Sequence, residues 1–171
     1  MIRNLLVLCM LLFSVVLFAQ QPDSTTLIQV GQVVPNFPLT TLDGQTMNIR
    51  DLNSRVVLIN FFATWCPACN MEMPELEKQI WLKHKREGLW VIAIGREHTG
   101  EDLVAYRTEK TVTFPMAPDS KRDIFKRFAK QNIPRNILID RKGVIAYQSV
   151  GYSPEIFQEL NAAVEKCLQN R

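Results

Sequence analysis

An apolar run that leads directly into two closely spaced cysteines constrains the fold of this chain more than any other feature. The run VVLINFFA (56–63) is rich in β-prone residues and hardly alternates, which is typical of a strand covered on both faces. Pro67 suits the first position of a helix, where its missing N–H costs nothing. Cys66 and Cys69 are therefore expected at a strand-to-helix junction.

The helix that follows the cysteines should bury one side. Cys69, Met73, Leu76 and Ile80 recur at steps of four, three and four residues, which predicts a single apolar stripe. Pro74 lies inside the same pattern and is expected to kink the helix.

The rest of the pattern alternates strands with helices. A hairpin is predicted around Asp43-Gly44, a buried strand over 89–95, a short extended piece over 113–119 and a closing hairpin around 141–143. Helices are predicted from near Thr99, over 120–132, and after Ser153. The last helix is expected to bury Ile156, Leu160, Val164 and Cys167. This order predicts an α/β fold with a central mixed β-sheet, parallel in its core and antiparallel at one edge.

The first residues have the pattern of an export signal. Arg3 precedes an apolar run over 5–18, and Ala19 stands before a polar stretch, so residues 1–19 are interpreted as a signal peptide cleaved near Ala19 or Gln20. An uncleaved N-terminal membrane anchor is the alternative. Residues 20–30 are expected to be a flexible lead-in, and residues 31–171 to form one folded domain. The net charge of +3 is too small to indicate a nucleic-acid partner.

The spacing of Cys66 and Cys69 allows three chemistries. A structural zinc site needs four ligands, but the sequence offers only His84 and His98 and no second CxxC pair, so we expect no metal. A purely structural disulfide would close too short a loop to stabilise the fold much. Reversible thiol–disulfide exchange fits better, because exported thiols tend to be oxidised.

The two cysteines should have different roles in such an exchange. Cys66 is expected just before the first helical turn, where free N–H groups and the helix dipole favour a thiolate. Cys69 lies on the apolar stripe, where a thiol stays protonated until it is needed. Cys66 would attack a partner disulfide as the nucleophile, and Cys69 would resolve the mixed disulfide.

These features resemble the thioredoxin superfamily, and more narrowly the exported TlpA/ResA-like thiol–disulfide oxidoreductases, which are grouped with AhpC/TSA and redoxin domains. The likeness covers roughly residues 31–168. Three segments carry it: GQVVPNFPLTTLDGQTMNIRDL, VVLINFFATWCPACNMEMPELE and IPRNILIDRKGVIAYQSVGY. The resemblance implies a thioredoxin fold with an extra N-terminal β-hairpin and a Cys66–Cys69 disulfide in the oxidised protein.

The resemblance also assigns the residues that would meet a substrate. It implies that Pro134 faces the cysteines after a cis Ile133–Pro134 bond, and that the backbone there pairs with an extended partner segment. Trp65 and Pro67 would flank Cys66, and Arg135 would either favour its thiolate or point to solvent. All five residues are expected to contribute to substrate binding.

Glu72 matches the acidic residue of this subfamily, three positions after the second cysteine. A buried carboxyl with a raised pKa could shuttle the proton of Cys69, although an acid in the first turns of a helix also simply suits the dipole. Thioredoxins proper carry a buried Asp where this chain has Asn60, which cannot titrate, so a buried acid at the site would have to be Glu72 or be absent. We expect Cys167 to be a buried small hydrophobe, with a third redox thiol as the alternative. We expect His98 to lie in a surface loop, with a position lining the site as the alternative.

The resemblance predicts an exported enzyme that reduces disulfides in the periplasm or cell envelope. Its partners would be proteins with cysteine pairs, such as apocytochrome c, and a membrane thiol–disulfide electron donor. We expect a monomer that needs no cofactor. Three alternatives remain open at this point: a disulfide-forming oxidase, a thiol peroxidase, and a non-catalytic module that binds extended peptides.

Overall fold

The computed structural model describes residues 24–170, so the predicted signal peptide and its cleavage site lie outside the described residues. The strands are β1 (Pro38–Thr40), β2 (Thr46–Asn48), β3 (Val56–Phe62), β4 (Leu89–Arg96), β5 (Met116–Asp119), β6 (Arg135–Ile139) and β7 (Ile145–Val150). The α-helices are α1 (Pro67–Glu75), α2 (Leu82–His84), α3 (Gly100–Lys110) and α4 (Pro154–Gln169). Short 3₁₀ turns span Ile49–Leu52 and Phe125–Arg127, and a π-helical segment spans Leu76–Trp81.

Five strands form the central sheet in the order β5-β4-β3-β6-β7. β3 is parallel to β4 and β4 to β5, whereas β6 is antiparallel to both β3 and β7. β1 and β2 form a separate antiparallel hairpin. The mixed sheet, the flanking helices and the extra N-terminal hairpin are therefore as predicted.

β3 lies at the centre of the sheet, and all seven of its residues are buried. Alternate side chains face opposite sides, as strand geometry requires. Leu58 and Phe62 pack with residues of α1, α3 and α4. Ile59 and Phe61 pack with the hairpin and with the segment around Phe125. Asn60 shares the face of Leu58 and Phe62, which turns a polar side chain towards α1.

The helix after the cysteines begins at Pro67 and buries the predicted stripe of Cys69, Met73, Leu76 and Ile80. Regular α-helix ends one residue after Pro74, and the π-helical segment follows. Proline lacks the N–H that an i→i−4 hydrogen bond needs, and Pro74 therefore explains why the backbone hydrogen bonding changes at this point of the helix.

The helix predicted over 120–132 is wrong. Only Phe125–Arg127 forms a 3₁₀ turn there. The carboxylate of Asp119 accepts hydrogen bonds from the backbone N–H groups of Ile124 and Phe125, at 3.1 and 2.8 Å, which gives the chain an alternative to helical bonds. Ile124, Phe125 and Phe128 are nevertheless buried.

α4 begins at Pro154 with Ser153 as its N-cap, as predicted, but its buried face differs. Leu160 and Val164 are buried together with Phe157 and Leu168. Ile156 and Cys167 are only partly buried. Their sequence neighbours Phe157 and Leu168 lie on the buried face instead and bring more apolar area into the contact.

Residues 24–30, expected to belong to a flexible lead-in, pack onto the domain. The Leu27 N–H donates to the Phe128 carbonyl at 2.9 Å, and the Lys130 N–H donates to the Thr25 carbonyl at 2.8 Å. Ile28 is buried in the core beneath. Within residues 24–170, none of the helices is both long enough and apolar enough to cross a membrane.

Candidate active site

Cys66 and Cys69 form a disulfide at the start of α1, with their Cα atoms 5.2 Å apart. Cys66 is the N-cap of the helix, and its Sγ accepts a hydrogen bond from the Cys69 N–H at 3.1 Å. In the reduced protein the same N–H and the dipole of α1 would stabilise negative charge on Cys66. Cys69 is more deeply buried than Cys66, with 1% against 5% of its surface exposed, so Cys66 is the sulfur that a partner reaches first.

The cis-proline loop lies against the nucleophile. The Ile133–Pro134 bond is cis, as predicted. Cys66 Sγ lies 3.9 Å from the carbonyl oxygen of Ile133. The loop therefore brings a backbone acceptor next to the reacting sulfur, while the role of this backbone in pairing with a partner stays a prediction.

Glu72 is buried behind the cysteines, with 1% of its surface exposed. Its carboxylate accepts hydrogen bonds from Asn60 Nδ2 of β3 at 2.8 Å and from Asn136 Nδ2 of β6 at 2.6 Å. Burial raises the pKa of Glu72 from 4.5 to about 7, and the two amide donors oppose that rise because they favour the charged form. The carboxyl group can therefore gain and lose a proton near neutral pH.

Asn136 belongs to this cluster, and the sequence analysis missed it. Asn60 and Asn136 lie opposite each other in the antiparallel register of β3 and β6, and Asn60 Nδ2 also donates to Asn136 Oδ1 at 2.8 Å. The available signal was an Asn in the otherwise apolar run NILI, since a buried strand rarely holds a polar residue without a partner. Its meaning became clear only once the register was known.

Trp65 and Pro67 flank Cys66 on the surface. Trp65 is 60% exposed, and the guanidinium carbon of Arg96 lies 5.7 Å from the centre of its ring. Pro67 is also exposed. An exposed aromatic side chain next to the nucleophile in sequence can contact a bound chain.

Arg135 does not lie at the surface. Its side chain has no exposed area, which excludes the solvent-facing alternative and a direct contact with a bound substrate. The guanidinium donates to Thr26 Oγ1 at 2.7 Å, to Thr25 Oγ1 at 3.0 Å and to the Gln131 carbonyl at 3.1 Å. Arg135 thus ties the N-terminal segment to the cis-proline region.

His98 is buried, contrary to the expectation of a surface loop, with 7% of its surface exposed. Its Nε2 accepts a hydrogen bond from the Thr64 N–H at 2.9 Å, two residues before Cys66. Cys167 is a free thiol in α4, half-buried, and burial raises its pKa.

A thioredoxin-type sheet with a CxxC pair at a helix start and a cis-proline loop beside it defines the thioredoxin-like thiol–disulfide oxidoreductases as a class. The Redoxin family model matches residues 29–164, and the chain belongs to that family. It is 31% identical over 124 residues to the thiol–disulfide oxidoreductase ResA of Bacillus thuringiensis (strain Al Hakam), covering 72% of this chain and 71% of that protein. The thioredoxin-like protein YneN of Bacillus subtilis (strain 168) is 35% identical over 127 residues, covering 72% of this chain and 73% of that protein.

Solved structures show the same fold. A solution structure of a candidate protein disulfide isomerase from Bacteroides thetaiotaomicron is 35% identical, with a TM-score of 0.82, over 85% of this chain and 94% of that one. A candidate thiol:disulfide interchange protein DsbE from Chlorobium tepidum is 26% identical, with a TM-score of 0.73, over 82% of this chain and 99% of that one. The predicted family, fold and enzyme class are confirmed.

Proposed function

We propose that this oxidoreductase is exported and reduces disulfides in protein substrates. The Cys66 thiolate attacks one sulfur of a substrate disulfide, forms a mixed disulfide and releases the other sulfur as a thiolate. Cys69 then loses its proton, attacks Cys66 Sγ and expels the remaining substrate thiolate. Two electrons pass from the dithiol to the substrate, and the Cys66–Cys69 disulfide remains.

The buried carboxyl of Glu72 is the observation that carries this proposal. Glu72 follows Cys69 by three residues on α1, a spacing that places side chains on the same helix face. With a pKa of about 7, it can accept the Cys69 proton during resolution and return it when the disulfide is reduced again. Water reaches this position poorly, so an internal base would be needed for Cys69 to become a nucleophile.

A substrate would lie along the surface formed by Trp65, Pro67 and the loop at Ile133. The exposed aromatic ring offers apolar contact, and the Ile133 carbonyl near Cys66 offers a backbone acceptor to an extended segment. Such contacts depend little on the amino-acid sequence of the substrate. This suits an enzyme that acts on cysteine pairs in several proteins, including apocytochrome c awaiting haem.

Export and re-reduction complete the proposal. The N-terminal pattern of residues 1–19 would direct the chain to the periplasm or cell envelope, either as a cleaved signal or as an anchor. Since that compartment oxidises thiols, a membrane thiol–disulfide donor would have to restore the dithiol. The protein would act as a monomer, because its exchange site requires one chain only.

The reduction potential of the Cys66–Cys69 pair tests the direction of the reaction. The protein is equilibrated with glutathione or dithiothreitol, and Cys167→Ser serves as the background so that only the catalytic pair is titrated. A potential near −270 mV or lower, the range of thioredoxin, supports a reductase. A potential near −120 mV, the range of strong oxidants, would replace the reductase proposal with a disulfide-forming enzyme.

A further inference from the structure

The turn that precedes Cys66 is held by hydrogen bonds to both backbone groups of Thr64. The Cys66 N–H donates to the Ala63 carbonyl at 3.1 Å, which closes a turn with Thr64 and Trp65 at its centre. The Thr64 N–H donates to His98 Nε2 at 2.9 Å. The Thr64 carbonyl accepts a hydrogen bond from Asn70 Nδ2, also at 2.9 Å.

Both contacts lead from the turn towards α3, one through Asn70 of α1 and the other through the loop that precedes α3. Asn70 Oδ1 in turn accepts a hydrogen bond from the Tyr106 hydroxyl at 2.8 Å, and Tyr106 is buried on α3. His98 lies in the connection that leads from β4 into the same helix. The position of the nucleophile thus depends on Asn70 of α1 and on two side chains, His98 and Tyr106, that belong to neither α1 nor the cis-proline loop.

The bond to Thr64 requires His98 Nε2 to be a hydrogen-bond acceptor. A backbone N–H can only donate, so Nε2 must present a lone pair, and the neutral ring then carries its proton on Nδ1. Nδ1 faces Asp102 Oδ2 at 3.8 Å, too far for a hydrogen bond but close enough for the carboxylate to favour a proton on that side. An imidazolium would place N–H against N–H at Thr64 and lose this bond.

We propose that neutral His98 is a positioning residue of the exchange reaction, which holds the Thr64 peptide and through it the Cys66 N-cap, and that protonation of its ring releases the turn. The proposal rests on thiol–disulfide exchange at Cys66 but not on its direction. A potential in the oxidant range would end the reductase proposal and leave this one intact.

Other charges near His98 are already paired or belong to the reaction. Arg96 at the end of β4 pairs with Glu97 of the connection at 3.1 Å, and Asp43 of the hairpin pairs with Arg107 further along α3 at 2.9 Å. Asp102 is held mainly by the Thr99 backbone and hydroxyl, which lower its pKa. The remaining titratable group on the catalytic turn is the Cys66 thiol.

A direct charge effect of His98 on Cys66 would have the opposite sign. An imidazolium near the site would stabilise the thiolate by attraction, so acidification through the histidine titration would favour the reactive form of Cys66. Loss of positioning instead removes reactivity as the ring becomes charged. The pH dependence of Cys66 therefore separates the two mechanisms.

The test compares His98→Gln with His98→Ala in reduced Cys167→Ser protein. The Gln side chain can still accept the Thr64 N–H but does not titrate, whereas Ala removes the acceptor. His84→Gln is the matched control, because His84 is also buried but contacts Glu87 and Glu165 instead of the catalytic turn. The measurements are the rate of Cys66 alkylation by iodoacetamide from pH 5 to 9 and the ¹⁵N–¹H shift of Thr64 over the same range.

We expect the Thr64 amide to titrate with the histidine ring in the wild type and in His84→Gln, and to lose that step in His98→Gln. At pH 8, alkylation in His98→Ala should be slower than in the wild type by roughly two- to tenfold, the size expected for one lost ordering hydrogen bond. His98→Gln should stay within about twofold of the wild type there.

The proposal is overturned if the wild-type Thr64 amide shows no histidine step, or if His98→Gln and His98→Ala react alike. Faster alkylation of the wild type on acidification, relative to His98→Gln, would also overturn it in favour of the charge effect. If His98→Ala does not fold, the wild-type and His98→Gln profiles with the Thr64 shift still decide the matter.

Discussion

Replacement of Glu72 by Gln should make the protein more stable at alkaline pH but not at acidic pH. The pKa of Glu72 rises from 4.5 to about 7 because the folded protein removes the carboxyl from water. Between these two pH values the folded state binds a proton that the unfolded state has lost. The resulting stability is fully present below the unfolded-state pKa of about 4.5 and is lost as the pH rises through about 7.

The magnitude follows from the shift. At 1.36 kcal/mol per unit of pKa, a rise of roughly 2.5 units corresponds to about 3 kcal/mol. The Gln side chain of Glu72→Gln stays neutral at all pH values. The free energy of unfolding of the wild type should therefore fall by about 3 kcal/mol relative to that of the variant between pH 4 and pH 8.5. The altered hydrogen bonds to Asn60 and Asn136 add an offset that does not depend on pH and cancels in this comparison.

Urea unfolding of the oxidised proteins at both pH values measures the effect, because disulfide-bonded cysteines do not titrate. Glu75→Gln is the matched control, since it removes an acid from a less buried position of the same helix. If the difference in unfolding free energy between wild type and Glu72→Gln is the same at both pH values, the pKa of Glu72 is not raised towards neutral pH in the folded protein. Stopped-flow resolution of a Cys66 mixed disulfide then tests the proton shuttle separately, and equal rates in both proteins would exclude it.

Three further predictions concern the site and its supports. Cys69→Ser should accumulate a stable mixed disulfide with substrate, visible on a non-reducing gel, and rapid release of substrate would contradict the resolving role. Arg135→Met should destabilise the domain by about 1.5–3 kcal/mol, as expected for the loss of hydrogen bonds from a charged group, and should speed amide hydrogen exchange at Leu27 without global unfolding. Unchanged protection of the Leu27 amide would show that Arg135 does not hold the N-terminal segment in place. Gly95→Ala should cost about 1–3 kcal/mol in urea unfolding, because a Cβ there would lie 2.5 Å from Leu103 of α3; a neutral result would show that α3 shifts freely.

Local patterns predicted the centre of the molecule well. β3 and α1 are recognisable because a continuous apolar run and a 3–4 stripe each depend on the backbone of one element. Pro67 and Ser153 mark helix starts by their own chemistry. The cis bond before Pro134, by contrast, came from family resemblance, since spacing alone does not favour it.

The errors occurred where a residue outside a pattern decides the outcome. Over 120–132 the apolar spacing is helical, but the Asp119 carboxylate binds two backbone N–H groups that a helix would have used. Arg135 and His98 are polar residues whose burial depends on distant partners, Thr26 and Thr64. The residues next to Arg135 and His98 in the sequence do not indicate those contacts.

The chemistry of the buried cluster depends on its two amides as much as on its acid. An Asp in place of Asn60 would set a second carboxyl within 2.8 Å of Glu72, and two carboxylates that share a site push one pKa strongly upward. Asn60 and Asn136 instead donate hydrogen bonds and offset part of the burial effect, which leaves the pKa of Glu72 at about 7. A group poised at the ambient pH gives up and regains a proton with little free-energy cost in either direction. The pair of asparagines across β3 and β6 therefore adjusts a buried acid to a reaction in which Cys69 must lose and recover one proton in every cycle.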